Sequence, residues 1–130
     1  MVEMDGALLV AHGSRDPDWS QPFETVAQLL RDGRPGLAVE LGFVEIQEPR
    51  SLEAGDALAR QGCRHVLVVP MFLGAGHHVR VDMAKLLEQL RENWRGVEWR
   101  LAPAIGEMPV FHRAVAGVLD EALCTGLEGP

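Results

Sequence analysis

Four short apolar runs, each separated from the next by a stretch of helical character, constrain this chain more than any other feature. The runs are ALLVA (7–11), AVELGFV (38–44), HVLVVPMF (65–72) and VEWRLA (97–102). Each is too short for a helix, rich in apolar or β-branched residues and bounded by polar residues or glycine, which predicts four strands. The first and third are nearly continuous apolar runs, as expected of central parallel strands covered on both faces. The second and fourth carry Glu40, Glu98 and Arg100 and suit sheet edges.

The intervening segments repeat apolar residues at helical spacing. One stripe is Phe23, Val26, Ala27 and Leu30; a second is Met83, Leu86, Leu87, Leu90 and Trp94; a third is Phe111, Ala114, Val115, Val118, Leu119 and Ala122. A weaker helix over 49–61 fills the remaining gap. DGRPG (32–36), Gly62 and the Arg95-Gly96 pair read as stops in which glycine supplies a left-handed cap, and Asp82 reads as the N-cap of the second stripe. The order βαβαβαβα calls for right-handed crossovers and predicts one α/β domain over 1–130, an open parallel four-stranded sheet with helices on both faces in flavodoxin-like layers. TGLEGP (125–130) has no core pattern and is expected to fray.

At 130 residues and 47% apolar content the chain can build a single core. Its first apolar run has no basic region ahead of it and no segment approaches a membrane span, so a soluble, cytoplasmic protein without a membrane partner is expected. Cys63 and Cys124 are far apart and read as free thiols. Nineteen acidic against twelve basic residues, a formal charge of −7, argue against nucleic acid as the partner. A small anion held by a few local arginines stays compatible with that charge.

Ligands of open α/β sheets bind beyond the carboxyl ends of the strands. The four exits read HGSRDPDW, EIQEPR, LGAGHHVRVD and PAIGEMP, so three of them offer His12, Glu45 and the pair His77/His78. Histidine nitrogens with one carboxylate suit a borderline divalent metal. Each residue also has a plainer reading. His12 with Gly13 and Ser14 suits a turn whose Ser14 or Asp16 opens the next helix; Glu45 suits a solvated edge; His65 and His112 read as structural or solvated. Gly74 and Gly76 leave room for a flat ligand and permit positive φ. A phosphate loop and a Ser-His-Asp triad both lack their flanking residues.

LLVAHGSRDP, FVEIQEP and VVPMFLGAGHHVRVD, taken together, resemble the class II chelatases of tetrapyrrole biosynthesis, and most nearly the short CbiX-type sirohydrochlorin cobaltochelatases, with the sirohydrochlorin ferrochelatases as near relatives. The resemblance covers about the first two thirds of the chain. It makes His12 the histidine of the HGS motif, Glu45 the acidic residue of F-x-E and His78 the histidine of G-x-H-x-x-x-D, with His77 in a variable position. Asp82 would then orient His78.

That resemblance implies insertion of a divalent metal, Co2+ first and Fe2+ or Ni2+ behind it, into a sirohydrochlorin-type ring. The metal is a substrate, and no tightly bound cofactor is implied. His12, His78 and Glu45 would present the metal and take the two pyrrole protons. Arg15, Arg50 and Arg80, each beside a motif, would clamp the ring's carboxylates, with Gly74 and Gly76 lining the approach. A chain half the length of the two-lobed members must use two subunits to build the cleft or bind its substrate more openly; a homodimer is expected, with facing surfaces that include or adjoin the loops around His12 and His78. A metal or tetrapyrrole carrier without turnover, or a flavodoxin-like domain with incidental histidines, are the alternatives the residues leave open.

Overall fold

The apolar runs become the four parallel strands of one sheet in the computed structural model, which describes residues 3–130. The order along the chain is β1 (Gly6–Ala11), α1 (Gln21–Gly33), β2 (Ala38–Phe43), α2 (Ser51–Arg60), β3 (His65–Pro70), α3 (His77–Asn93), β4 (Glu98–Leu101), a 3₁₀ turn (Ile105–Glu107) and α4 (Pro109–Thr125). Across the sheet the order is β2-β1-β3-β4. The two nearly continuous apolar runs therefore lie in the middle and the charged runs at the edges. The sheet is the predicted α/β architecture, with helices on both faces.

Side-chain alternation splits the core into two layers. Leu8 and Val10 of β1, Val66 and Val68 of β3 and Trp99 of β4 face α2 and α3, where they meet Leu58, Met83, Leu87 and Leu90. Ala7, Leu9 and Ala11, with Val39, Leu41 and Phe43 of β2, face α1 and touch Phe23, Leu30 and Trp19. Right-handed crossovers dictate this division: stepping from β1 to β2 puts α1 on one face, and the reversed direction toward β3 and β4 puts α2 and α3 on the other. Leu8, Leu58 and Leu90 are fully buried, and each such side chain contributes about 1.5–3 kcal/mol relative to exposure.

The amino ends of β1 and β3 are tied by Asp5, whose carboxylate accepts hydrogen bonds from the backbone N–H groups of Arg64 (2.9 and 3.1 Å) and His65 (2.9 Å). Burial works against the charge, but these donors outweigh it and hold the carboxyl below its usual range.

The structure corrects several local expectations. α3 begins at His77, with Gly76 as N-cap, so Asp82 lies inside the helix and caps nothing. The cause is Val79, which packs against the α2/α3 core and extends the apolar stripe one turn earlier. α1 likewise begins at Gln21 behind Ser20, not at Ser14 or Asp16. Gly62 does take the left-handed conformation, at φ 96°, but α1 and α3 close on Arg34 and Trp94 at φ −140° and −134°. Most unexpectedly, α4 carries its predicted apolar stripe yet has no buried residue.

Candidate functional site

Strand order reverses between β1 and β3, and the residues beyond the carboxyl ends of β1, β2 and β3 meet there. The β1–β2 ladder continues past both strands: Val44 N–H donates to Ala11 O at 2.9 Å and Glu45 N–H to His12 O at 3.0 Å. His12 and Glu45, 33 residues apart in sequence, thus sit on paired backbone. Gly13 makes the pairing possible. Its φ is 99°, and a Cβ there would lie 1.9 Å from Glu45 O, so no side chain fits between the two loops.

Beyond Glu45 the chain turns sharply. Gln47 N–H donates to Glu45 O at 2.8 Å, a three-residue turn centred on Ile46 at φ 71°. A β-branched residue in that region costs roughly 1–3 kcal/mol, a strain typical of functional loops. The turn directs Gln47 back toward β1, where its side-chain oxygen accepts from Ser14 N–H at 2.8 Å. Ser14 and Asp16 then accept from the N–H groups of Asp16 and Asp18, 3.1 and 2.9 Å, which sets a tight loop in place of a helix start. Gln47 was missed by sequence reasoning, although it lies inside the FVEIQEP stretch.

The β3 exit supplies the third side. Phe72, 4% exposed, lies under the exposed His12 ring, with centroids 4.1 Å apart and planes tilted by 46°. It too was missed, having read only as the last residue of an apolar run. His77 and His78 occupy the first turn of α3, both exposed, with ring centroids 6.1 Å apart. Gly74 and Gly76 adopt no positive φ, and a Cβ on either would meet open space, so their expected conformational role is absent. What they contribute is a bare surface.

The three arginines are all exposed. Arg15 follows β1. Arg50 precedes α2, its N–H donating to Glu53 Oε1 at 3.4 Å. Arg80 reaches from α3 toward Glu107, 3.8 Å away. The rim also holds Glu45, Glu48 and Asp16, so its field is mixed in sign.

Among the described residues, no three His, Cys, Asp or Glu side chains come close enough together to hold a metal ion. His12, Glu45 and His78 border an open surface and line none of the five recesses described. The remaining histidines lie elsewhere: His65 pairs with Glu98 at 2.9 Å, and His112 contacts Gly106 O at 2.7 Å. The side-chain hydrogen bond from His65, then Arg100, lowers the pKa of the Glu98 carboxyl. Both thiols are free; burial, then the charge of Asp5, pushes that of Cys63 up and leaves it inert. Among the described residues no helix is long and apolar enough to cross a membrane.

An open parallel sheet that shows an imidazole and a carboxylate on paired strand ends, with two more imidazoles opening the next helix, is an α/β protein of the chelatase fold. The fold matches a cobalamin (vitamin B12) biosynthesis CbiX protein from Marinobacter aquaeolei with a TM-score of 0.80 and 32% identity, over 93% of this chain and 96% of that one. The family model described as CbiX matches residues 6–122, and the chain belongs to the CbiX family. A sirohydrochlorin cobaltochelatase of Sulfurisphaera tokodaii is 38% identical over 103 residues, 79% of this chain and 81% of the relative. The sirohydrochlorin chelatase SirB of Bacillus subtilis subspecies spizizenii, solved with cobalt, shares the fold with a TM-score of 0.77 at 23% identity. This chain covers 51% of that one.

Proposed function

We propose that this chain is a sirohydrochlorin chelatase that inserts a divalent metal, Co2+ first with Fe2+ or Ni2+ as alternatives, into the ring as a cytoplasmic step of cobalamin or sirohaem biosynthesis. The observation that carries the reading is the pairing of His12 with Glu45 on adjacent strand ends in a chain of the CbiX family. The name of the Sulfurisphaera tokodaii relative supports the substrate and the metal.

Insertion replaces two pyrrole N–H bonds by bonds from four ring nitrogens to the metal, and releases two protons. An ion that must be handed on is best held by few ligands, and neutral imidazole with one carboxylate is such a set. His12 and Glu45 present the ion and accept protons, and His78 works from the far side of the β3 exit. Phe72 beneath the His12 ring limits the orientations open to it. Arg15, Arg50 and Arg80 hold the ring's carboxylates, and Gly74 and Gly76 let a flat ring approach the backbone.

A ring with its acid side chains is well over about 10 Å across, and bound ligands are usually enclosed on most sides. One sheet edge supplies one wall, so the protein acts as a homodimer with the second copy as the other wall. The test is to mix protein, sirohydrochlorin and Co2+ and follow the ring's absorption. Multiple turnovers lost in His12→Ala and in Glu45→Gln are expected. A spectral change that stops at one equivalent would make the protein a carrier, and no change would overturn the reading.

A further inference from the structure

Ile46 stands where its backbone is strained and its side chain has no place in the core. The residue takes φ 71°, a region in which a β-branched side chain is a rare outlier and glycine or asparagine is the ordinary occupant. Nothing inside the chain compensates for this: Ile46 is 48% exposed and belongs to neither layer of the core. Asparagine would make the same turn with less strain and no loss of core packing. Strain held at an exposed apolar residue points to a contact outside the chain.

The turn is held on every side. The loop over 44–49 leaves β2 and returns to it, since Phe43 N–H donates to Pro49 O at 3.0 Å. Within the loop Gln47 N–H donates to Glu45 O at 2.8 Å, and Gln47 Oε1 accepts from Ser14 N–H at 2.8 Å. Among the described residues this last bond is the one hydrogen bond that ties residues 13–18 to another segment. Ile46 is thus the tip of a loop fixed at both ends, one residue past Glu45, whose N–H bonds His12 O. The other large apolar side chains left exposed lie on α1, on β4, on or after α4, or against the recess at the root of α4. Among the described residues Ile46 is the one that adjoins the paired ends carrying His12 and Glu45.

We propose that Ile46 is a ring-contact residue: its exposed side chain packs on the apolar face of the flat macrocycle as the ring is brought over His12 and Glu45, and Gln47 braces the turn that presents it. A tetrapyrrole carries its acid arms at the periphery and its apolar surface on the two faces, so arginines suit the edge and an aliphatic side chain suits the face. A β-branched side chain also has few rotamers to lose on binding, and a braced loop has little backbone freedom to lose, so the contact forms at small entropic cost. The inference rests on the tetrapyrrole reading put forward above and deepens it. Ring binding in the absence of metal tests it separately from insertion.

Metal-free sirohydrochlorin titrated into wild type, Ile46→Asn and Ile46→Leu, followed by the ring's absorption, gives the affinities. Covering the exposed half of an isoleucine side chain corresponds to roughly a five- to tenfold change in Kd. Ile46→Asn should bind the ring that much more weakly, while Ile46→Leu, which keeps the apolar surface, stays near wild type. Because asparagine accepts positive φ, Ile46→Asn should melt no lower than wild type, and its mass by light scattering should be that of wild type. In Co2+ insertion the loss should fall on KM with kcat retained, as for a contact made equally in the ground and transition states. A wild-type protein that does not bind the ring would overturn the tetrapyrrole reading and the contact together. Ring binding by wild type that is matched by Ile46→Asn, or lost equally in Ile46→Asn and Ile46→Leu, would overturn the contact and leave the chelatase reading standing. A lower melting temperature or a changed mass in Ile46→Asn would also overturn it, by assigning the side chain to the fold or to a second copy.

Discussion

Replacing Gly13 by alanine tests the geometry that joins His12 to Glu45. The added methyl would start 1.9 Å from Glu45 O, whereas real Cβ contacts essentially never fall below 3.0 Å, so the two loops must part by about 1 Å. Alanine at φ 99° adds a left-handed penalty of roughly 1–2 kcal/mol, and overpacking of this kind costs roughly 1–3 kcal/mol. A total of about 2–5 kcal/mol should lower the melting temperature by on the order of 10 °C for a domain of this size. The displacement falls on the paired backbone of His12 and Glu45, and a 1 Å misplacement in a reacting constellation is worth about 100-fold in rate. Gly96→Ala is the matched control, because its Cβ meets open space and it lies between α3 and β4 away from the site; it should change stability by less than about 0.5 kcal/mol. Both variants would be read by thermal melting and, well below the melting point, by the ring's absorption during Co2+ insertion. A Gly13→Ala protein with wild-type stability and turnover would refute the geometry.

His12→Ala and His78→Ala should each remove most metal insertion while His77→Ala is milder, measured as initial rates; the opposite ranking of His77 and His78 would show that the wrong imidazole has been assigned. Phe72→Leu should keep the fold, at a cost of about 1 kcal/mol, but lower turnover by loosening the His12 ring, and equal rates for the two proteins would remove Phe72 from the site. Asp5→Ala should cost about 1.5–3 kcal/mol, the value of hydrogen bonds to a charged acceptor, in denaturant melts. The Asp5 carboxyl has a lowered pKa in the folded chain, so its contribution is present above the ordinary carboxylate pKa and is lost as pH falls through the folded value. The stability gap between wild type and Asp5→Asn should therefore narrow below about pH 4; a gap unchanged in acid would contradict the charge-based account.

Much of this molecule was legible locally. The continuous apolar runs of β1 and β3 predicted central strands and the charges of β2 and β4 predicted edges, because burial on two faces excludes charge within a few residues of chain. The three motifs carrying His12, Glu45 and His78 stood at strand exits for the same reason. Helix starts were less legible, since whether α3 begins at His77 or near Met83 depends on Val79 finding a surface to pack against. Only the tertiary structure decided that His12 shares a backbone hydrogen bond with Glu45, because that follows from β2 lying beside β1. The same holds for Phe72 beneath the His12 ring, which needs β3 on the other side. α4 marks the boundary most clearly: its apolar stripe predicts a helix that needs a partner surface, while only the tertiary structure shows that none of its residues is buried within the chain.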